Sequence, residues 1–107
     1  MIAKDESVLM QFSAEAWNGL YIADMLHREY LASRRELVVT SGSEPIQHTV
    51  ARSAHHRGDA FDMRRWYLDD VNKFEEYVAE LREKLTADWV VFVEDDHIHC
   101  HWSPVAF

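Results

Sequence analysis

Trp89-Val90-Val91-Phe92-Val93, then Glu94-Asp95-Asp96, then His97-Ile98-His99-Cys100-His101-Trp102 is the run whose reading decides the fold. The first five residues are apolar, mostly β-branched or aromatic, as a buried strand requires. The acids form the turn, and the last six residues alternate. His97, His99 and His101 therefore share one face of a hairpin, and Ile98 and Cys100 share the other. Working backward, Asp59 to Trp66 alternates small or apolar with polar side chains, which predicts a half-buried strand carrying Asp62. Residues 69–85 read as a helix, with Phe74, Tyr77, Val78, Leu81 and Leu85 on one face, charges on the other, and Asp69 and Asp70 at its positive end. Glu36 to Thr40 suits a buried strand ending in a loop that runs to residue 54, and residues 13–33 suit a helix capped by Ser13. No repeat or linker interrupts this order. The expectation is one α+β domain over 1–107, an antiparallel sheet with helices packed on one side.

Composition narrows the function. The chain has 107 residues and 11 Lys plus Arg against 19 Asp plus Glu, hence 11 − 19 = −8. That excludes a generic nucleic-acid binder, which needs clustered positive charge. With 48% hydrophobic residues, three glycines and two prolines, the chain has enough large side chains for one core. No apolar run approaches the roughly 20 residues of a membrane span, and the N-terminus lacks a cationic start followed by an apolar stretch. The chain is expected to be made in the cytoplasm with no membrane partner. Cys100 is the sole cysteine, so no intramolecular disulfide forms, and on its strand it should pack as a small hydrophobe facing away from the histidines. Oligomeric state is left open by these features.

Seven histidines are an excess for this length, and five lie in two clusters, His55-His56 and His97/His99/His101. Imidazoles at His55 and His99 with the carboxylate of Asp62 are the ligand types that a borderline metal ion prefers. Three protein ligands leave a fourth position for water, as in catalytic zinc sites. Asp96 and Glu94 are candidates for the general base. His27, His48 and His101 read as structural or solvated, and His56 as a neighbour without a ligand role. Arg57-Gly58-Asp59 spells an adhesion tripeptide by chance.

The segment Ser53-Ala54-His55-His56-Arg57-Gly58-Asp59-Ala60-Phe61-Asp62 has the form Ser-x-His-x-x-Gly-x-Ala-x-Asp. It resembles the signature of the superfamily that joins zinc D-alanyl-D-alanine peptidases and Hedgehog signalling domains. Val39-Thr40-Ser41-Gly42 resembles the strand and loop preceding that signature, and Trp89 through Cys100 resembles the closing strands, so the likeness spans residues 36 to 102. It implies a Hedgehog/DD-peptidase fold with Zn2+ held by His55, Asp62 and His99. Asp96 stands where the family places its catalytic carboxylate and would take the proton of a zinc-bound water. His97 would hydrogen-bond the developing oxyanion. The implied activity is hydrolysis of an amide bond in bacterial peptidoglycan stem peptides, either D-alanyl-D-alanine or an L-alanyl-D-amino-acid link. Such an enzyme would reach the wall through lysis machinery or as part of a phage particle. The rival reading is a non-catalytic zinc module, as in Hedgehog domains.

Two departures qualify the likeness. Where the family has an aromatic residue and a substrate-holding Arg after Ser-Gly, this chain has Ser43 and Glu44. The substrate-binding candidates are then Arg52, Arg57 and Ser53, with Arg64 and Arg65 as further arginines for a terminal carboxylate; without one, the substrate is an internal amide. The Glu that Hedgehog domains keep four residues before the first His of the final pair is Val93 here, beside Glu94.

Overall fold

The computed structural model describes residues 1–31, 36–44, 54–55, 57–65 and 71–104. The sequence-based expectations for His48, Arg52, Ser53, His56, Trp66, Asp69 and Asp70 lie outside them. Along the chain the elements are β1 (Ile2–Ala3), α1 (Ala14–Leu31), β2 (Val38–Ser41), β3 (Ala60–Arg64), α2 (Val71–Leu85), β4 (Trp89–Val93) and β5 (His97–Trp102). The strands form one five-stranded sheet in the order β1-β2-β3-β5-β4.

Each element has a local cause. The Ser13 hydroxyl accepts from the Ala16 amide at 3.2 Å, capping α1 as the sequence predicts. The two helices meet through Tyr77, whose buried hydroxyl donates to the Ala23 carbonyl at 3.1 Å. α2 ends at Thr86, which takes a left-handed φ of 71°. That conformation suits glycine and crowds a β-branched residue. Thr86→Gly is therefore expected to raise the stability by about 1 kcal/mol, read as an upward shift of the thermal midpoint.

Leu20, Ala23 and Leu26 of α1 and Tyr77, Val78 and Leu81 of α2 bury against Val39, Phe61, Met63, Val91, Ile98 and Cys100. The helices thus cover one face of the sheet, and β5 alternates as expected, with Ile98 and Cys100 in the core and the histidines on the other face. Close approach is needed at Gly19, where a Cβ would lie 2.3 Å from the Trp89 ring.

One expectation is corrected. The sheet is mixed, not antiparallel throughout, because β1 runs parallel to β2 with Ile2 opposite Val38. The Ile2 amide donates to the Leu37 carbonyl and the Lys4 amide to the Val39 carbonyl, each at 2.9 Å. Two strand residues are too few to produce a period in the sequence, so backbone pairing alone defines this strand.

β2 and β3 pair with a bulge. Val39 is opposite Met63 and Ser41 opposite Asp62, which leaves Thr40 as the extra residue. A bulge re-aims neighbouring side chains, and here Thr40 and Ser41 both line the cavity beside Asp62.

Candidate metal centre

Three elements deliver the ligand set. Asp62 lies on β3 directly opposite His99 on β5, so cross-strand pairing places the two side chains on the face without helices. His55 comes from the turn before β3. That turn is closed by the Gly58 amide on the His55 carbonyl at 3.0 Å, with Gly58 itself at a left-handed φ of 73°. The Gly58 carbonyl accepts from the Ser13 amide at 2.9 Å, which ties the turn to the start of α1.

One ligand atom from each of His55, Asp62 and His99 falls within 4.8 Å of the other two, as a common metal ion would require. His55 Nε2 lies 3.4 Å from Asp62 Oδ1 and 3.3 Å from His99 Nδ1. These separations match the roughly 3.3 Å between ligand atoms around a tetrahedral ion bound at about 2.0–2.1 Å. The third edge, His99 Nδ1 to Asp62 Oδ1, is 2.8 Å, a hydrogen bond. The outer atoms also suit a metal. His55 Nδ1 donates to the Gly42 carbonyl at 2.8 Å, which in the neutral ring leaves the Nε2 lone pair for an ion.

Electrostatics follow from this packing. Burial opposes charge on Asp62, but hydrogen bonds from His55 and His99 outweigh it and hold the carboxyl well below the usual carboxylate range. Burial likewise disfavours the His55 cation, yet its bond to Asp62 and the Asp62 charge raise it above its ordinary value. The group is thus a paired anion and imidazole that a cation would enter by displacing a proton. Cys100, fully buried on the opposite side of β5, is pushed upward by desolvation and is no ligand.

His97 and Asp96 stand next to this group. His97 Nδ1 is 2.7 Å from Asp96 Oδ1, and His97 Nε2 is 3.9 Å from Asp62 Oδ2. Asp96 lies in the β4–β5 turn, and its bond to His97 lowers its carboxyl. A cavity of about 340 Å³ opens beside them, lined by Asp62, Asp96, His97, Lys4, Thr40, Ser41 and Arg64.

Other candidates are placed elsewhere. Arg57 pairs with Asp59 at 3.2 Å and does not line this cavity. Arg65 donates to the Glu94 carbonyl at 2.6 Å and lies 4.4 Å over the Phe74 ring, a structural setting. Glu94 pairs through its backbone amide with the His97 carbonyl at 2.8 Å. Glu44 is buried, and its carboxylate is hydrogen-bonded to the Leu9 and Gly42 amides and the Ser41 hydroxyl. His27 is buried edge-on to Tyr77, in keeping with a structural role.

His101 reads from the sequence as structural or solvated, and the structure gives it a hydrogen-bonded setting against His99. Its Nδ1 lies 2.8 Å from His99 Nε2. Burial and the charges of His99, Arg57 and His55 lower His101, which keeps it neutral and able to accept. It thus fixes the ring that presents Nδ1 to Asp62, while Phe92, opposite His99 on β4, stacks on the same ring at 6.2 Å. The signal was present in the sequence as His-x-His-x-His, since period two puts all three on one face. His101→Ala is expected to weaken metal affinity by about 10- to 100-fold, measured by chelator competition, and His101→Gln to recover part of it.

No protein-family model matches the chain, and no curated protein matches it either. Among the described residues no helix is long and apolar enough to cross a membrane. The class that fold and site define is thus a small α+β protein with a five-stranded mixed sheet and a His55/Asp62/His99 group that could hold a metal ion.

Proposed function

We propose that the chain is a zinc metallopeptidase hydrolysing an amide bond of bacterial peptidoglycan stem peptides, of D-Ala-D-Ala carboxypeptidase or L-Ala-D-amino-acid endopeptidase type, with a Hedgehog/DD-peptidase fold. The observation that carries this reading is the His55/Asp62/His99 group with the Asp96–His97 pair next to it, Asp62 and that pair lining one cavity. Two imidazoles and one carboxylate suit zinc among the common divalent ions. When bound, zinc supplies a Lewis acid and an acidified water.

The chain's own groups do the rest. Asp62 is anionic and offsets the charge of the ion. Asp96 accepts a proton and holds His97 Nδ1 at 2.7 Å, which leaves His97 Nε2 turned toward Asp62 and the cavity. Once Asp96 has accepted its proton, its O–H can donate to Nδ1, and the ring's one N–H then sits on Nε2 and donates to negative charge developing on the scissile carbonyl oxygen. The test is digestion of purified stem peptides by zinc-loaded protein with and without chelator. Chelator is expected to stop cleavage, and His97→Ala to lower turnover about 100-fold or more while zinc content stays stoichiometric. Chelator-insensitive cleavage, or full activity of the variant, would contradict the assignment.

A second reading, the non-catalytic zinc module, is favoured by one observation: Glu44 occupies the place of the substrate Arg and is committed to the Leu9 and Gly42 amides. Zinc uptake without cleavage of any stem peptide would select it.

A further inference from the structure

The sheet ends on one side in β4, and most of that edge is unpaired. The Glu94 amide donates to the His97 carbonyl and the Ser103 amide to the Asp88 carbonyl. Residues alternate along a ladder, so Val90 and Phe92 face β5, while Trp89, Val91 and Val93 turn their backbone groups outward. The Trp89 amide is taken up by the Thr86 carbonyl at 3.3 Å. Among the described residues nothing accepts from the Val91 and Val93 amides. Proteins blunt such edges with Pro, Lys, a bulge or a very short strand. The opposite edge is protected in this way, since β1 has two residues. β4 has five, Trp-Val-Val-Phe-Val, with no charge, no proline and an unbroken register against β5. Two of its large apolar side chains are exposed, Phe92 by 54% and Val93 by 37%.

We propose that this edge pairs with the β4 edge of a second copy of the chain, antiparallel about a twofold axis at Phe92, so that the two sheets continue as one. The axis selects the register. With Phe92 opposite its own copy, Val91 lies opposite Val93 of the second copy, and each such pair has its amides and carbonyls turned toward the other strand. Phe92 then forms the closely spaced pair, an aromatic contact across the axis. A second copy of a chain with net charge −8 also needs a cation to meet its acids, and Arg82 of α2 supplies one. Its Nη2 reaches the edge and donates to the Val91 carbonyl at 2.9 Å. Opposite Val91 stands Val93 of the second copy, one residue before the acidic run Glu94-Asp95-Asp96. On pairing, that carbonyl passes to the incoming Val93 amide, and each guanidinium moves onto the other copy's acidic turn. An unrelated extended segment matches neither the axis nor the charges. Phe92 stacks on His99 and shares its face of the sheet, so both metal centres open to the same side of the joined sheet. A single strand pair falls at the small end of specific interfaces, below roughly 1,200 Å², and the expected dissociation constant is on the order of 100 µM.

Sedimentation equilibrium of the full chain from about 10 µM to about 1 mM tests this, with dimer expected to predominate at the top of the range. Cysteine crosslinking reads the register. Phe92→Cys brings two Cα atoms to about 4.5 Å, within disulfide reach, and Cys100 is buried and does not compete. In an oxidising glutathione buffer this variant is expected to form a covalent dimer about tenfold or more faster than Tyr21→Cys, an exposed site on α1. Val93→Pro removes an outward amide, a change that edge strands tolerate, and should weaken association about tenfold or more, with the thermal midpoint as control for folding. Arg82→Glu should weaken it too, and adding Glu94→Arg should restore it, a rescue that a merely structural role for Arg82 does not give. A chain that stays monomeric to about 1 mM overturns the proposal, and is the result expected if the edge serves a strand of a different protein. Equal crosslinking of the two cysteine variants, full association of Val93→Pro, or no rescue by the charge swap overturns it as well.

Discussion

Asp62→Asn is expected to abolish stoichiometric zinc binding and the thermal stabilisation that zinc confers. Asp62 Oδ1 contacts His99 Nδ1 at 2.8 Å and His55 Nε2 at 3.4 Å, so it is the one anionic group set against both imidazoles. Asn keeps the shape and removes the charge, and a neutral amide oxygen is a poor partner for zinc. With zinc about a thousandfold above its dissociation constant, binding adds about 4 kcal/mol to the folded state. In a domain of this size that is a midpoint shift on the order of 15 °C. The parent chain should show the shift, the variant should not, and elemental mass spectrometry should find no metal in the variant. His55→Ala and His99→Ala should behave alike. Full zinc occupancy in Asp62→Asn would remove Asp62 from the ligand set.

The metal-free chain gives the opposite pH dependence. His55 is raised above its ordinary value of 6.5 by Asp62, so the pair stabilises the fold fully below that value and fades as pH rises through the folded-state value. Asp62→Asn without metal should therefore cost more near pH 5.5 than near pH 8. With zinc the order reverses, because protons compete with the metal for His55 and are gone at the higher pH.

The ligand group was legible in the sequence because metal chemistry restricts residue types, and because alternation in His97–Trp102 fixes which side chains share a face. Asp62 was placed for the same reason, once Ala60–Arg64 was read as a strand. What could not be read depends on pairing between distant segments. β1 is too short for any period, so the sheet was expected to be antiparallel throughout. Which arginine faces the site is decided by register. Arg64 and Arg65 are neighbours in sequence, but one lines the cavity opposite His97 and the other is held by Glu94 and Phe74. His101 was passed over because a third histidine in an alternating run has no distinct signature until the His99 ring is positioned. Glu44 is the clearest case, since its donors Leu9, Ser41 and Gly42 are brought to it by folding and leave no mark in the sequence.

Glu44→Ala is expected to destabilise the fold by about 3 kcal/mol or more. The side chain is 4% exposed, and its carboxylate collects three donors: Oε1 accepts from the Gly42 amide at 2.6 Å and the Leu9 amide at 3.2 Å, and Oε2 from the Ser41 hydroxyl at 2.7 Å. Removing it leaves those donors unpaired where water has little access, and each orphan costs about 1–3 kcal/mol. Glu44→Gln should recover little, because its amide end would turn a donor toward one of the same N–H or O–H groups. The pH dependence follows from sign. Burial alone would raise Glu44, but the bonds from Ser41, Gly42 and Leu9 lower it below 4.5. Its contribution is thus complete above about pH 4.5 and disappears as pH falls through the folded-state value. Denaturant melts of the parent chain and the variants should converge in acid and separate above it; a constant gap at all pH values would show that the carboxylate charge is not what the segment needs. The loss should also reach the metal centre. Gly42 sits between Glu44, which accepts its amide, and His55, which donates to its carbonyl at 2.8 Å. A Cβ at Gly42 would come within 2.2 Å of the Leu9 carbonyl oxygen, so the Gly42 backbone lies directly against the Leu9 backbone. Glu44→Ala should therefore loosen the His55 ring and weaken zinc affinity even under conditions where the variant remains folded, and unchanged affinity in the folded variant would separate the loop from the site.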